Sequence, residues 1–386
     1  MAKNLICLIS KQLLPNYVFL KEFAEPGDTV YFLATNTSDE QKNVLWDVFK
    51  KYKPGIEKIK TVPLYGVEEK WCSMLKLLES HFVKNGEYLI NLTGGTKYMA
   101  QAVYEHFRDY PSAKFFYIPW PKNEYLDYHS DNSLPIKSKL SFTEYFDLRA
   151  LTYQKEVPFL FQEYKDYSYR FFNKFINFSG QEKDIISLIR EVASGKYNWE
   201  GIVDNPRLLD FLQKIEFPIS KDELDKMGRA KRLPYLKYIA GGWFEEYARA
   251  RLSQALGQPF YGINDLKVAG ASKPNELDCV GIMNNHCIVV ECKTVLEWSR
   301  DKTKEKWLEK ALDKANRINK NIISTLSAHS YLFYLDTIGN ESEIKKSLAQ
   351  AENKHVKMLR AFGKEYFTNE AKFTEMINII KEDCGC

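Results

Sequence analysis

Apolar runs separated by helix-periodic stretches fill the first 120 positions. The runs 4–10 (NLICLIS), 29–35 (TVYFLAT), 87–93 (EYLINLT) and 114–120 (KFFYIPW) predict buried strands. Between them, 39–52, 67–84 and 97–108 place apolar residues at helical spacing, and Ala100, Val103 and Phe107 make one stripe. Near-continuous apolar strands alternating with helices predict a mostly parallel sheet covered on both faces. The expected class is α/β, opening with a Rossmann-like domain over 1–145.

The pattern then changes twice. Residues 146–235 are dense in aromatics up to Phe178 and then helical at 181–193 and 206–214, which predicts a helical connector, one that also suits packing between subunits. Residues 236–386 predict a second α/β unit: a helix at 243–256, a hairpin, a charged helix at 303–324, a strand at 330–336 and terminal helices. The hairpin is ELDCVGIMNNHCIVVECKT, 276–294, with Asn284-Asn285 as its turn signal. A turn centred there sets Asp278 opposite Glu291 and Glu276 opposite Lys293. By strand alternation all four share the face of Val280 and Val289. Two carboxylates facing each other across antiparallel strands stand roughly 5 Å apart and repel, so the pair calls for a cation between them.

Composition narrows the class without deciding it. The 386 residues, 45% hydrophobic and 27% charged, describe an ordinary globular protein with room for two or three cores. A net charge of +4 permits nucleic-acid binding and does not argue for it. The first apolar run is too short for a secretory signal, and no run reaches the ~20 residues of a membrane span. Seven cysteines without CxxC spacing fit reduced thiols, so a cytoplasmic location is expected. Cys279 and Cys292 fall on the opposite hairpin face from Cys287, which disfavours a shared zinc ion.

Helix, hairpin bearing Asp278 and then Glu291-Cys292-Lys293, helix, strand: this order resembles the PD-(D/E)xK, restriction-endonuclease-like nucleases. The resemblance implies a divalent-metal-dependent endonuclease. Mg²⁺ or Mn²⁺ would be held by Asp278, Glu291 and the carbonyl of Cys292, an all-oxygen set suited to a hard cation. Lys293 would orient the attacking water or neutralise the transition state. The family often adds a carboxylate from the preceding helix; Glu245 is favoured over Glu246 by its place in GGWFEEYAR, and Glu276 is a further candidate. Lys306, Lys310, Lys314 and Arg317 recur at helical spacing, but Glu305, Glu309 and Asp313 beside them favour a salt-bridged solvent face.

At the other end of the chain, Asn91-Leu92-Thr93-Gly94-Gly95-Thr96-Lys97 joins a strand to a helix, where open parallel sheets bind ligands. Glycines let backbone amides approach an anion, and the helix start favours negative charge. The loop resembles that of CARF (CRISPR-associated Rossmann-fold) domains, so the whole chain is similar to the CARF-plus-nuclease effectors of type III CRISPR immunity. That resemblance implies a homodimer, an activator such as cyclic tetra-adenylate, and DNA or RNA as substrate. It also implies a pocket lined by Asn91, Thr93, Gly94, Gly95, Thr96 and Lys97. Ser10, Gln12 and Asn16 from the first strand exit, and Thr35, Asn36 and Thr37 from the second, would complete it. Two other readings stay open: a constitutive restriction or repair nuclease with a Rossmann-like dimerisation domain, and a ligand-binding regulator without nuclease activity.

Overall fold

The computed structural model describes residues 2–120, 122–130, 132–152, 155–161, 166–267, 275–295, 328–336 and 359–386. The charged helix expected at 303–324, with its lysine stripe, lies outside the described residues.

Two separate sheets organise the chain, as an α/β reading requires. The first holds β1 (Asn4–Leu8), β2 (Thr29–Ala34), β3 (Lys58–Pro63), β4 (Tyr88–Asn91), β5 (Ala113–Tyr117), β6 (Glu124–Asp127) and β7 (Ser133–Pro135). Their order is β3-β2-β1-β4-β5-β6-β7. The first five are parallel, and β6 and β7 add an antiparallel edge. The order reverses between β1 and β4, which opens a crevice at the carboxyl ends of those two strands.

Helices cover both faces. On one side α3 (Trp71–His81) and α4 (Lys97–Phe107) bury Met74, Leu78, Met99, Ala102 and Val103 against Ile6, Leu8 and Ile90. On the other, α1 (Leu14–Phe23), α2 (Asp39–Tyr52) and α5 (Phe142–Asp147) enclose Leu5, Cys7, Val30 and Phe32. That second core does not stop at the sheet. It continues into Val280, Ile282, Cys287 and Val289, so one face of the predicted hairpin packs on the N-terminal half.

The aromatic stretch after residue 145 is explained by what it covers. Helix α6 (Tyr167–Phe175) packs on α11 (Trp243–Leu256), and α7 (Gly180–Ala193), α8 (Pro206–Lys214), α9 (Lys221–Lys226) and α10 (Arg229–Lys237) bury apolar residues in the same core, α7 against α8 and α10. Phe171 stacks on Trp243 with ring centres 4.8 Å apart, and Phe172 lies on Tyr247 at 4.4 Å. Within one chain, these aromatics therefore pack on the C-terminal half.

The second sheet runs β13-β12-β11-β10-β9-β8. Its strands are β8 (Lys155–Val157), β9 (Phe260–Leu266), β10 (Asn275–Met283), β11 (His286–Val295), β12 (Ala328–Asp336) and β13 (Leu359–Phe362). β8 comes from the segment read as helical connector, and pairs antiparallel with β9. Parallel β12 and β13 follow β11. Among the described residues, no helix is long and apolar enough to cross a membrane.

Candidate functional site

From Cys279–Val290 to the turn, the hairpin register is the one the alternation predicts. Before Cys279 it is not: β10 is irregular against β9 between Leu277 and Val280, and Leu277 packs in the same core as Val280, so the strict alternation expected to set Glu276 and Asp278 on the Val280 face is interrupted there. Cys279 pairs with Val290, Val280 with Val289 and Met283 with His286, and the turn falls on Asn284 and Asn285. Both turn residues have positive φ, 49° and 66°, which a two-residue hairpin turn demands and asparagine tolerates. Cys279, Val290 and Cys292 face the core around α11, whereas Val280, Cys287 and Val289 face the N-terminal half. The cysteines are thus split between faces, and all seven are free thiols.

At the open end of this hairpin, Asp278 and Glu291 are nearly buried and both contact one ammonium. Lys293 Nζ lies 3.6 Å from Asp278 Oδ2, donates to Glu291 Oε1, and reaches the Cys292 carbonyl at 3.2 Å. The cation that two opposed carboxylates require is here a lysine of the same strand. Asp278 Oδ2 is fixed further by the Cys292 amide, which donates to it at 2.9 Å. Burial first, and then the negative field of Asp278, Glu245 and Glu291, push the Cys292 thiol well up. Cys292 is therefore a neutral wall of the site.

Helix α11 separates its two adjacent glutamates. Glu245 is half-buried and near enough for its field to reach Cys279 and Cys292. Glu246 points the other way, accepts the Leu160 amide at 2.6 Å and sits 3.9 Å from Arg249. Burial raises the Glu246 carboxyl from 4.5 to about 7. Glu276 is exposed, two residues before Asp278. No sequence motif points to Arg190. Its guanidinium donates to Ala240 O at 2.7 Å and Thr294 O at 3.3 Å, tying α7 to the turn before α11 and to β11.

Among the described residues, no three His, Cys, Asp or Glu side chains converge as a metal-binding group. The oxygen atoms around Lys293 include the Asp278 and Glu291 carboxylates and the Cys292 carbonyl. A hard cation that keeps several of its waters, as Mg²⁺ does, fits such a small all-oxygen set.

The Gly-Gly loop leaves β4 in the crevice beside β1. Asn91 and Asn16 are fully buried, so they hold the loop in shape from beneath and do not line its surface. Asn91 Nδ2 donates to Asn16 Oδ1 at 2.8 Å, and Asn16 Nδ2 donates to Leu8 O at 2.7 Å. Asn16 belongs to α1, not to the polar strand exit expected from the sequence. Asn91 Oδ1 accepts from the Thr93 amide at 3.1 Å and the Thr93 hydroxyl at 2.7 Å. Gly94 runs so close to β1 that a Cβ there would lie 1.9 Å from Leu8 O. Gly95 has φ of +72°, the left-handed region. Thr96 caps α4 by accepting the Met99 amide at 3.2 Å, and Thr96 and Lys97 are exposed.

The neighbouring loops end at the same sheet edge. Ser10 and Gln12 form a small turn, with the Gln12 amide 3.3 Å from Ser10 Oγ. Thr35 opens a short 3₁₀ turn, Asn36–Ser38, and its hydroxyl meets that of Thr37 at 3.0 Å. Asn36 and Thr37 are exposed. The exposed members of the predicted pocket therefore all fall at the carboxyl ends of β1, β2 and β4.

Comparison with known proteins agrees with this two-part plan. Residues 4–145 match the Card1 CARF domain, and residues 240–349 match the nuclease-related domain. No match is found among curated proteins. Can2 from Sulfobacillus thermosulfidooxidans, solved in complex with cyclic tetra-adenylate, is 18% identical, with a TM-score of 0.66 over 97% of this chain and 99% of its own. Protein VC1899 from Vibrio cholerae is 14% identical, with a TM-score of 0.68 over 100% of this chain and 99% of its own. At such identities the likeness is one of fold.

Proposed function

Because this chain joins a CARF domain of the Card1 type to a nuclease-related domain, we propose that it is a cyclic-oligoadenylate-activated, divalent-metal-dependent nuclease of type III CRISPR defence. Its substrate is DNA or RNA, and its working form is a homodimer. The observation that carries the catalytic half is the convergence of Asp278, Glu291 and Lys293 at one end of β10–β11. Cyclic tetra-adenylate is the activator of first choice, being the ligand in the similarly folded Can2 structure.

Asp278, Glu291 and the Cys292 carbonyl would hold Mg²⁺ or Mn²⁺. When bound, the metal supplies Lewis-acid polarisation of the scissile phosphoryl oxygen. The protein's own groups then have distinct tasks. The Cys292 amide holds Asp278 at a fixed angle. Lys293, beside both carboxylates, would place its ammonium where it offsets the charge that builds on the phosphate. Glu245, on the neighbouring helix, positions water. At the other site, exposed Thr96 and Lys97 at the start of α4 offer donors to phosphate, on a helix end that favours anions.

Labelled single- and double-stranded DNA and RNA, incubated with purified protein, Mn²⁺ and each cyclic oligoadenylate, test this reading. Cleavage that requires metal and rises at least tenfold with one ring size is expected. No cleavage of any substrate under any combination would overturn it.

A further inference from the structure

The turn of the catalytic hairpin is gripped by the ligand-binding half of the same chain. Asn123, between β5 and β6, donates from Nδ2 to Asn284 Oδ1 at 2.7 Å, and its Oδ1 accepts from Asn285 Nδ2 at 2.8 Å. Asn285 is fully buried and makes two more bonds across the boundary: its Oδ1 accepts the Leu140 amide at 2.8 Å, and its Nδ2 reaches Ser138 O at 3.0 Å. Asn284 Nδ2 donates to Cys384 O at 2.8 Å, which adds the chain's last turn to the grip. The indole of Trp120 lies against the His286 ring at 5.4 Å.

The same segment is attached to the ligand loop. The Ile118 amide, five residues before Asn123, donates to Thr93 Oγ1 at 2.8 Å, and that hydroxyl is itself held by Asn91. Bonds therefore tie Thr93 to Ile118 and, five residues further along the chain, Asn123 to Asn284 and Asn285. From the turn, β11 runs paired with β10 as far as Val290 and with β12 on through Glu291 and Lys293. Six residues of strand span about 20 Å. The hairpin is held at its closed end and carries its chemistry at its open end.

We propose that Asn123, Asn284 and Asn285 form a latch that transmits the state of the Thr93 loop to the Asp278–Glu291 site within one subunit. Amide hydrogen bonds are directional, so a shift of Asn123 must carry the turn with it or break these half-buried bonds. The latch draws its biological meaning from the activated-nuclease reading, but its test does not need that reading. These are positioning residues, distant from the reacting atoms.

Hydrogen exchange of the β11 amides is the readout, in full-length protein with and without Asn123→Ala. Thr93→Ala removes the acceptor for the Ile118 amide. It should change exchange at 287–293 at least fivefold in the otherwise native chain, and less than twofold when Asn123→Ala is also present. Asn123→Asp, which keeps the acceptor and the shape, should fall between. In a second arm with cyclic tetra-adenylate, Asn123→Ala should keep binding and basal cleavage but lose at least tenfold of the activation. An equal response of the hairpin to Thr93→Ala in both backgrounds, or none in either, would overturn the latch. If the native chain binds no cyclic oligoadenylate, the functional reading fails while the exchange arm still decides the latch.

Discussion

Gly94 and Gly95 are adjacent and look alike in the sequence, yet they are needed for different reasons. Gly94 is fixed by steric closeness, since any Cβ would meet a β1 carbonyl; Gly95 is fixed by its positive φ. A pair of glycines before a helix signals close approach, but the sequence cannot say to what, and here it is the protein's own backbone. Gly94→Ala should therefore cost the most stability, about 3 kcal/mol as an overpacking change. Gly95→Ala and Thr96→Ala should each cost about 1 kcal/mol, for backbone strain and a lost cap respectively. Urea denaturation of the three variants checks the ranking. The adjacent glutamates divide similarly. Burial lifts Glu246 to about 7 from 4.5, so the folded chain takes up a proton that the unfolded chain does not hold. Its contribution is most favourable below about pH 4.5 and is lost as pH rises through about 7. Glu246→Gln should thus be the more stable protein at pH 8, by about 1–3 kcal/mol, with the gap closing toward pH 5 in the same denaturation assay.

Elements with a strong period were legible, and those shaped by their neighbours were not. The hairpin register followed from alternation and from Asn284-Asn285, because a one-residue slip would have exchanged its faces. Helices at 39–52, 206–214 and 243–256 have the bounds that their apolar spacing predicts. By contrast, β3 was missed: as an outer strand it carries Lys58 and Lys60 and buries little besides Val62, the habit of a protected sheet edge. Helix α1 was hidden because it is buried from Leu14 through Leu20, which erases the amphipathic period. The aromatic run after 145 was legible as a change of composition, but not the partner it covers. That partner is α11, and this gives a prediction at the scale of the element. Phe172→Ala removes a ring stacked at 4.4 Å on Tyr247 and should destabilise by about 3–4 kcal/mol. Because α11 also carries Glu245, nuclease activity should fall in the residual folded protein, measured as cleavage per folded molecule after correction by near-ultraviolet circular dichroism.

At the scale of the molecule, the two halves share one core along the inner face of the hairpin, so within one chain they are built to move together. In the proposed homodimer, a cyclic tetra-adenylate ring and the pair of chains would share two-fold symmetry, so one ring would meet the Thr96–Lys97 edge of both chains. A ligand shifts such an equilibrium only by its difference in affinity for the two arrangements, and a tenfold to hundredfold activation corresponds to about 1.4–2.8 kcal/mol. The central claim is that recognition and cleavage are separate chemistries on one chain. Paired measurements of cyclic tetra-adenylate binding by calorimetry and of Mn²⁺-dependent cleavage, on Gly95→Val and Lys293→Ala, test it most directly. The account predicts that Lys293→Ala binds like the native chain and stays inactive at any activator concentration, while Gly95→Val loses binding and cleaves only at the unstimulated rate. Native-level cleavage by Lys293→Ala, or normal activation of Gly95→Val, would contradict it.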